Sequence, residues 1–122
     1  MSHIVTVATR IRDHAAVVAA CRRLNLPAPV QGTAKLFSGE ATGLLVNLPG
    51  WQYPAVIDTA TGTVKYDVYE GHWGDPRHLE KFLQMYAVEL AKIEARKKGY
   101  TVSEQALQDG SIKVQLIEGS AA

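Results

Sequence analysis

The stretch Asp75-Pro76-Arg77-His78-Leu79-Glu80-Lys81-Phe82-Leu83-Gln84-Met85-Tyr86-Ala87-Val88-Glu89-Leu90-Ala91-Lys92-Ile93-Glu94-Ala95-Arg96-Lys97-Lys98-Gly99 decides the fold. Leu79, Phe82, Leu83, Tyr86, Leu90 and Ile93 recur at helical intervals, so they fall on one face of a long amphipathic helix. Asp75 suits the N-cap, and Pro76 suits the first helical position, where a missing amide costs nothing. At the other end Arg96, Lys97 and Lys98 complement the helix dipole, and Gly99 can take the left-handed conformation that closes the last turn. Burying each large side chain of the stripe contributes about 1.5 to 3 kcal/mol. A helix with that much apolar surface requires a sheet or second helix beneath it.

Working towards the N-terminus, the period changes from helical to two. Val64, Tyr66 and Val68 alternate, as do Tyr53, Ala55 and Ile57, and between them Asp58-Thr59-Ala60-Thr61-Gly62 has the length and glycine of a hairpin loop. Leu44, Val46 and Leu48 form a further strand, with a weaker signal near Leu36 and Phe37. Pro27 to Gly32 reads as an extended loop. Asp13 can cap a shorter helix through about Leu24, with Val17, Val18, Cys21 and Leu24 on one face and Arg22 and Arg23 pointing away. Ile4 to Thr9 is β-branched enough for a first strand. Beyond Gly99, Val102 and Ala106 are separated by Asp109-Gly110 from Ile112, Val114 and Leu116, a strong hairpin signal. The expected fold class is α+β: a two-layer, mainly antiparallel sheet with two helices on one face, in the order β-α-β-β-β-α-β-β, with an extra short strand possible near Leu36.

The chain has 122 residues, 47% of them hydrophobic, and a formal charge of +1. That suits a single domain over residues 1–122. Near-neutral charge argues against nucleic acid, which calls for a basic face. One cysteine excludes an internal disulfide, the first residues lack a signal-peptide pattern, and no run approaches the roughly 20 apolar residues of a membrane span. The expectation is a cytoplasmic protein without membrane contact.

Met1-Ser2-His3, Ile11-Arg12-Asp13 and the block from Lys98-Gly99-Tyr100 to Asp109-Gly110-Ser111 resemble the hypothetical chloroplast reading frame thirty-five family. These are small proteins of cyanobacteria, red-algal plastids and other bacteria, and the middle of the chain, from Lys35 to Asp75, is closer to a bacterial branch. The family is a domain of unknown function, so the resemblance implies a cytoplasmic single domain and brings no catalytic residues.

The densest polar cluster is Glu70-Gly71-His72-Trp73-Gly74-Asp75, at a strand-to-helix turn. Glu70, His72 and Asp75, joined by His3 or His78, could ligate a divalent metal or serve as acid and base. The plainer account makes Asp75 a cap, Trp73 a plug for the sheet edge and the glycines a turn. Met1-Ser2-His3 could chelate copper or nickel only if Met1 were retained. Cys21 lies on an apolar helix face without a catalytic partner. Phosphate-binding, dinucleotide and paired-cysteine motifs are absent, so no catalytic residue and no cofactor is assigned.

Two features point instead to protein contacts. Strand alternation puts Tyr69 with Lys65 and Asp67 on the face away from the helices. On the long helix Met85, Val88, Ala91 and Ala95 form an apolar strip off the main stripe, among Lys81, Gln84 and Lys92, which makes a candidate self-association surface. The reading is a noncatalytic binding or adaptor module with a protein partner or a second copy. The alternative is a small enzyme or metal-binding protein using the Glu70-His72-Asp75 turn.

Overall fold

The computed structural model describes residues 4–67 and 73–118. Seven strands and two helices follow one another as β1 (Ile4–Ala8), α1 (His14–Arg23), β2 (Val30–Lys35), β3 (Glu40–Val46), β4 (Ala55–Asp58), β5 (Thr63–Asp67), α2 (Pro76–Lys97), β6 (Thr101–Ala106) and β7 (Ile112–Ile117). The first five strands form one antiparallel sheet in the order β1-β5-β4-β3-β2, and β6 and β7 pair only with each other. The class is α+β, with both helices on one face of the large sheet.

Local chemistry sets the helix ends. The Asp13 carboxylate accepts from the Ala16 amide at 3.0 Å and starts α1. Asp75 does the same for α2, accepting from the Arg77 amide at 2.9 Å, with Pro76 in the first turn. Gly99 follows the last turn at a φ of 80°. Between sheet and helices lies the main core, where Val17, Ala20 and Cys21 of α1 meet Leu44, Val46, Ile57 and Val64 of the sheet and Leu79, Phe82, Met85 and Tyr86 of α2.

The strand over residues 30–35 replaces the expected loop. It pairs with β3 through small residues, Gly32 opposite Gly43 and Ala34 opposite Ala41. β3 pairs with β4 only from Leu44 to Val46. At Gly43 the chains approach so closely that a Cβ would sit 2.4 Å from the Ile57 carbonyl oxygen, so no other residue fits without moving backbone. Beyond this point the β2–β3 hairpin turns back over the sheet's second face, where a Cβ on Gly39 would lie 3.7 Å from the Ile4 side chain. A second core of Ala34, Leu36, Ala41 and Val56, flanked by Ile4, Leu45 and Tyr53, fills the space beneath. Tyr53 therefore belongs to the opposite side of the sheet from Ala55 and Ile57. Residues 51–54, ending at Pro54, are irregular, so strand alternation does not extend back to Tyr53.

The β6–β7 hairpin forms at Asp109-Gly110 as expected, yet it stays outside the large sheet and lies against α2, adding a third layer over part of the helix. Ile112 packs on the main core, and the Gln84 side-chain amide donates to the Gly110 carbonyl at 3.0 Å. An ion network completes the attachment. Glu104 of β6 bonds Arg23 at 2.5 Å and Lys92 at 2.8 Å, and Glu89 takes the same two cations at 3.0 and 3.2 Å. Arg23 is thus a clamp between α1, α2 and β6 rather than a solvated charge. No described helix is long and apolar enough to cross a membrane.

Candidate functional site

An apolar groove follows α2. Leu83, Tyr86, Ala87, Leu90, Ala91 and Glu94 form one side, Thr9, Arg10 and Ile11 the other, and the groove encloses about 500 Å³. Leu83 and Leu90 belong to the apolar stripe read from the sequence, yet both are only half-buried, whereas Leu79, Phe82 and Tyr86 of the same stripe are covered. The β1–α1 wall of the groove is fixed by hydrogen bonds at both of its ends. The Tyr86 hydroxyl oxygen accepts from the amides of Arg12 and Asp13, each at 3.1 Å. The Thr9 amide donates to the Gly62 carbonyl at 3.0 Å, and the Thr9 hydroxyl donates to the same oxygen. Thr9, Arg10 and Ile11 carry no sequence pattern that marks them; only the fold sets them beside Leu83 and Leu90.

The strip on the other side of α2 is not a surface. Met85 is 2% exposed, Val88 7% and Ala95 3%. Met85 belongs to the main core, and the C-terminal hairpin lies against α2, where Gln84 and Lys92, the polar neighbours expected to meet water, bond it instead. Among the described candidate interface residues only Ala91 lines an open surface, and it faces the groove.

The polar turn is only partly described. His3, Tyr69, Glu70 and His72 lie outside the described residues. Asp75 is engaged locally: besides capping α2, its carboxylate binds the Arg77 guanidinium at 2.8 to 3.2 Å. Those bonds hold its carboxyl down at about 2. Such a group does not exchange protons near neutrality, and both of its oxygens are already bonded to Arg77. Among the described residues no cluster of three or more histidine, cysteine or carboxylate side chains could hold a metal ion. Burial pushes the Cys21 thiol up to about 11, so it stays protonated and unreactive at neutral pH.

The two tryptophans frame this turn from different sides. Trp51 donates its indole N–H to the Asp75 carbonyl at 2.9 Å and lies so close over Gly74 that a Cβ there would come within 2.6 Å of the ring. Trp73 meets Phe37 with ring centroids 4.8 Å apart and Tyr53 at 5.6 Å, over the second core. Beneath the hairpin tip sits Asp67, which alternation alone would expose beside Lys65. It is instead 0% exposed; one carboxylate oxygen accepts from the Ser38 amide at 3.4 Å, and Oδ1 has no hydrogen-bond partner among the described residues.

Compared with protein-family models, with curated proteins and with solved structures, the chain finds no match in any of the three.

Proposed function

We propose that this protein is a noncatalytic binding module acting in the cytoplasm through protein–protein contacts, and that its docking surface is the groove between α2 and the β1–α1 connection. The observation that carries the reading is that Leu83 and Leu90, members of the helix's own apolar stripe, sit half-buried at the edge of the core and line an open groove. Half-buried leucines flanking two alanines make a track into which a ridge of apolar side chains can fit, and the small Ala87 and Ala91 let it approach closely. Arg10 stands on one wall and Glu94 on the other, which suits an amphipathic helix from a partner protein carrying charges beside its apolar ridge.

Membership of the hypothetical chloroplast reading frame thirty-five family, in its bacterial branch, is part of this proposal and rests on the terminal sequence blocks alone. The alternative, an enzyme or metal protein built on Glu70, His72 and Asp75, is weakened because the Asp75 carboxylate is taken by Arg77 and the helix cap.

The test is quantitative affinity capture from native lysate with wild type and with the double variant Ala87→Arg, Ala91→Arg. A partner retained by wild type and released by the variant, at unchanged melting temperature, is the expected result. Equal retention by both proteins refutes the groove as the docking surface. Metal analysis of untagged protein discriminates the alternative: stoichiometric zinc or iron that disappears in His72→Ala would reverse the ranking.

A further inference from the structure

The large sheet ends on β2, and the outer side of that strand is open. The Leu36 amide donates to the Gly39 carbonyl at 2.6 Å, so this pair closes the β2–β3 hairpin as a hydrogen-bonded one. Opposed residues of an antiparallel ladder alternate between bonded and non-bonded pairs. Followed back from the turn, the register therefore bonds Ala34, Gly32 and Val30 to β3 and turns the amides and carbonyls of Gln31, Thr33 and Lys35 outward. The side chains agree. Thr33 and Thr42 stand opposite each other with hydroxyl oxygens 2.7 Å apart, the close approach of a non-bonded pair. Among the described residues no further strand or loop bonds the outward backbone groups.

Natural edge strands are commonly blunted by a charge or a proline. β2 keeps both at its ends, with Pro29 before Val30 and Lys35 as the last residue, and leaves Gln31-Gly32-Thr33-Ala34 uncharged between them. Such an edge accepts another strand through backbone bonds. The order of residues along β2 fits β2 itself. In an antiparallel pairing about Thr33, Gln31 falls opposite Lys35 of the second copy, Thr33 opposite Thr33, and Lys35 opposite Gln31. Outward residues then meet only outward residues, so all three pairs are of the bonded kind. Between them Gly32 falls opposite Ala34, where small side chains raise no obstacle, and Val30, 62% exposed, comes diagonally beside Ala34. The one charge on the strand lies opposite an amide, never opposite its own copy. An axis at Gly32 would set Lys35 against Pro29, which has no amide to give, and an axis at Ala34 would set Gln31 against Phe37 of the turn.

We infer that β2 is a self-association edge: two copies of this chain join through it on a twofold axis at Thr33, and the large sheet continues from one copy into the other. Three backbone pairs with little apolar surface make a reversible contact, so the dimer forms as concentration rises. β2 is the opposite edge of the sheet from β1, whose continuation walls the α2 groove, and the contact does not rest on the groove.

The experiment is sedimentation velocity over a rising series of protein concentrations, with amide hydrogen exchange read along the same series. Wild type should pass from monomer to dimer, and the amides of Gln31, Thr33 and Lys35 should gain protection as it does. Thr33→Pro removes an outward N–H from each copy while leaving the bonds to β3 in place, and should weaken association by about tenfold or more. Thr33→Lys and Thr33→Glu each set like charges against one another on the axis and should weaken it several-fold. An equimolar mixture of Thr33→Lys with Thr33→Glu should restore the dimer, because opposite charges then meet across the axis. That rescue separates a twofold contact at Thr33 from a fold defect, and it decides the matter if Thr33→Pro does not fold. A wild type that stays monomeric, a dimer that persists at full strength in the folded variants, or a mixture no more associated than its components overturns the proposal. So does a dimer that is lost instead in Ala87→Arg, Ala91→Arg, since self-association would then belong to the groove.

Discussion

Replacing Glu104 by Gln should release the C-terminal hairpin without disturbing the rest of the fold. Glu104 is the only described residue of β6 or β7 that forms an ion pair with a helix, and it does so with both Arg23 and Lys92. The side chains of Arg23, Lys92 and Glu104 are 31%, 19% and 22% exposed, between a surface pair and a buried one. Arg23, then Lys92, hold the Glu104 carboxyl down at about 2 from an ordinary 4.5. Taken at face value that depression is worth about 3 kcal/mol, and solvent screening of so open a network reduces it to about 1 to 2 kcal/mol. The substitution strands no cation, because Glu89 still faces both Arg23 and Lys92. Hydrogen exchange is the appropriate assay, since it resolves local opening. Protection of the β6–β7 amides should fall by about tenfold in the variant, while β3–β4 protection stays constant. The sign with pH follows from a lowered folded-state value: the contribution is complete above the ordinary 4.5 and disappears as pH falls towards 2. The wild-type hairpin should therefore loosen over that interval, and the Gln variant should not. Equal hairpin protection in the two proteins at neutral pH would refute the clamp.

Two further perturbations separate the core from the groove and test the bend in β3. Phe82→Ala should cost about 3 to 5 kcal/mol in chemical denaturation, because its ring is 0% exposed, and Leu90→Ala at the open groove should cost clearly less; the reverse order would mean that the groove is closed. Gly43→Ala should cost more than about 2 kcal/mol, since its Cβ meets backbone that no rotamer change can move, and a neutral effect would show that β3 and the Ile57 backbone do not approach so closely there.

Both helices were legible because their signals are local. Asp13 and Asp75 cap within three residues of themselves, and Gly99 and Asp109-Gly110 act within a turn. β2 was hidden because Pro27 and Pro29 advertise a loop and because Gly32 and Ala34 lack apolar alternation. Their smallness answers Gly43 and Ala41 across the ladder, a pairing invisible before the hairpin is formed. The Met85–Val88–Ala95 strip was misassigned because Met85 reaches the main core from the margin of the stripe and because this helix carries a hairpin as well as the sheet, so more than one face is covered. Asp67 follows the same logic. Its alternation with Tyr66 was correct, but the face it points to is covered by residues more than twenty-five positions earlier, including Ser38.

The groove along α2 is the part of the helix that none of the described elements covers. The sheet and α1 cover one side of the helix, β6–β7 covers another, and the β1–α1 connection comes alongside at Thr9-Arg10-Ile11 without closing over Leu83 and Leu90. That connection is held at both ends, by Gly62 on Thr9 and by the Tyr86 hydroxyl on Arg12 and Asp13. The β1–α1 wall is therefore tied to the helix and to Gly62 before any partner arrives, so little entropy of the groove is lost on docking. The ordering cost falls on the incoming segment instead. A partner already helical should consequently bind more tightly than the same sequence presented as a flexible peptide, and the difference should appear in the dissociation rate rather than in the rate of encounter.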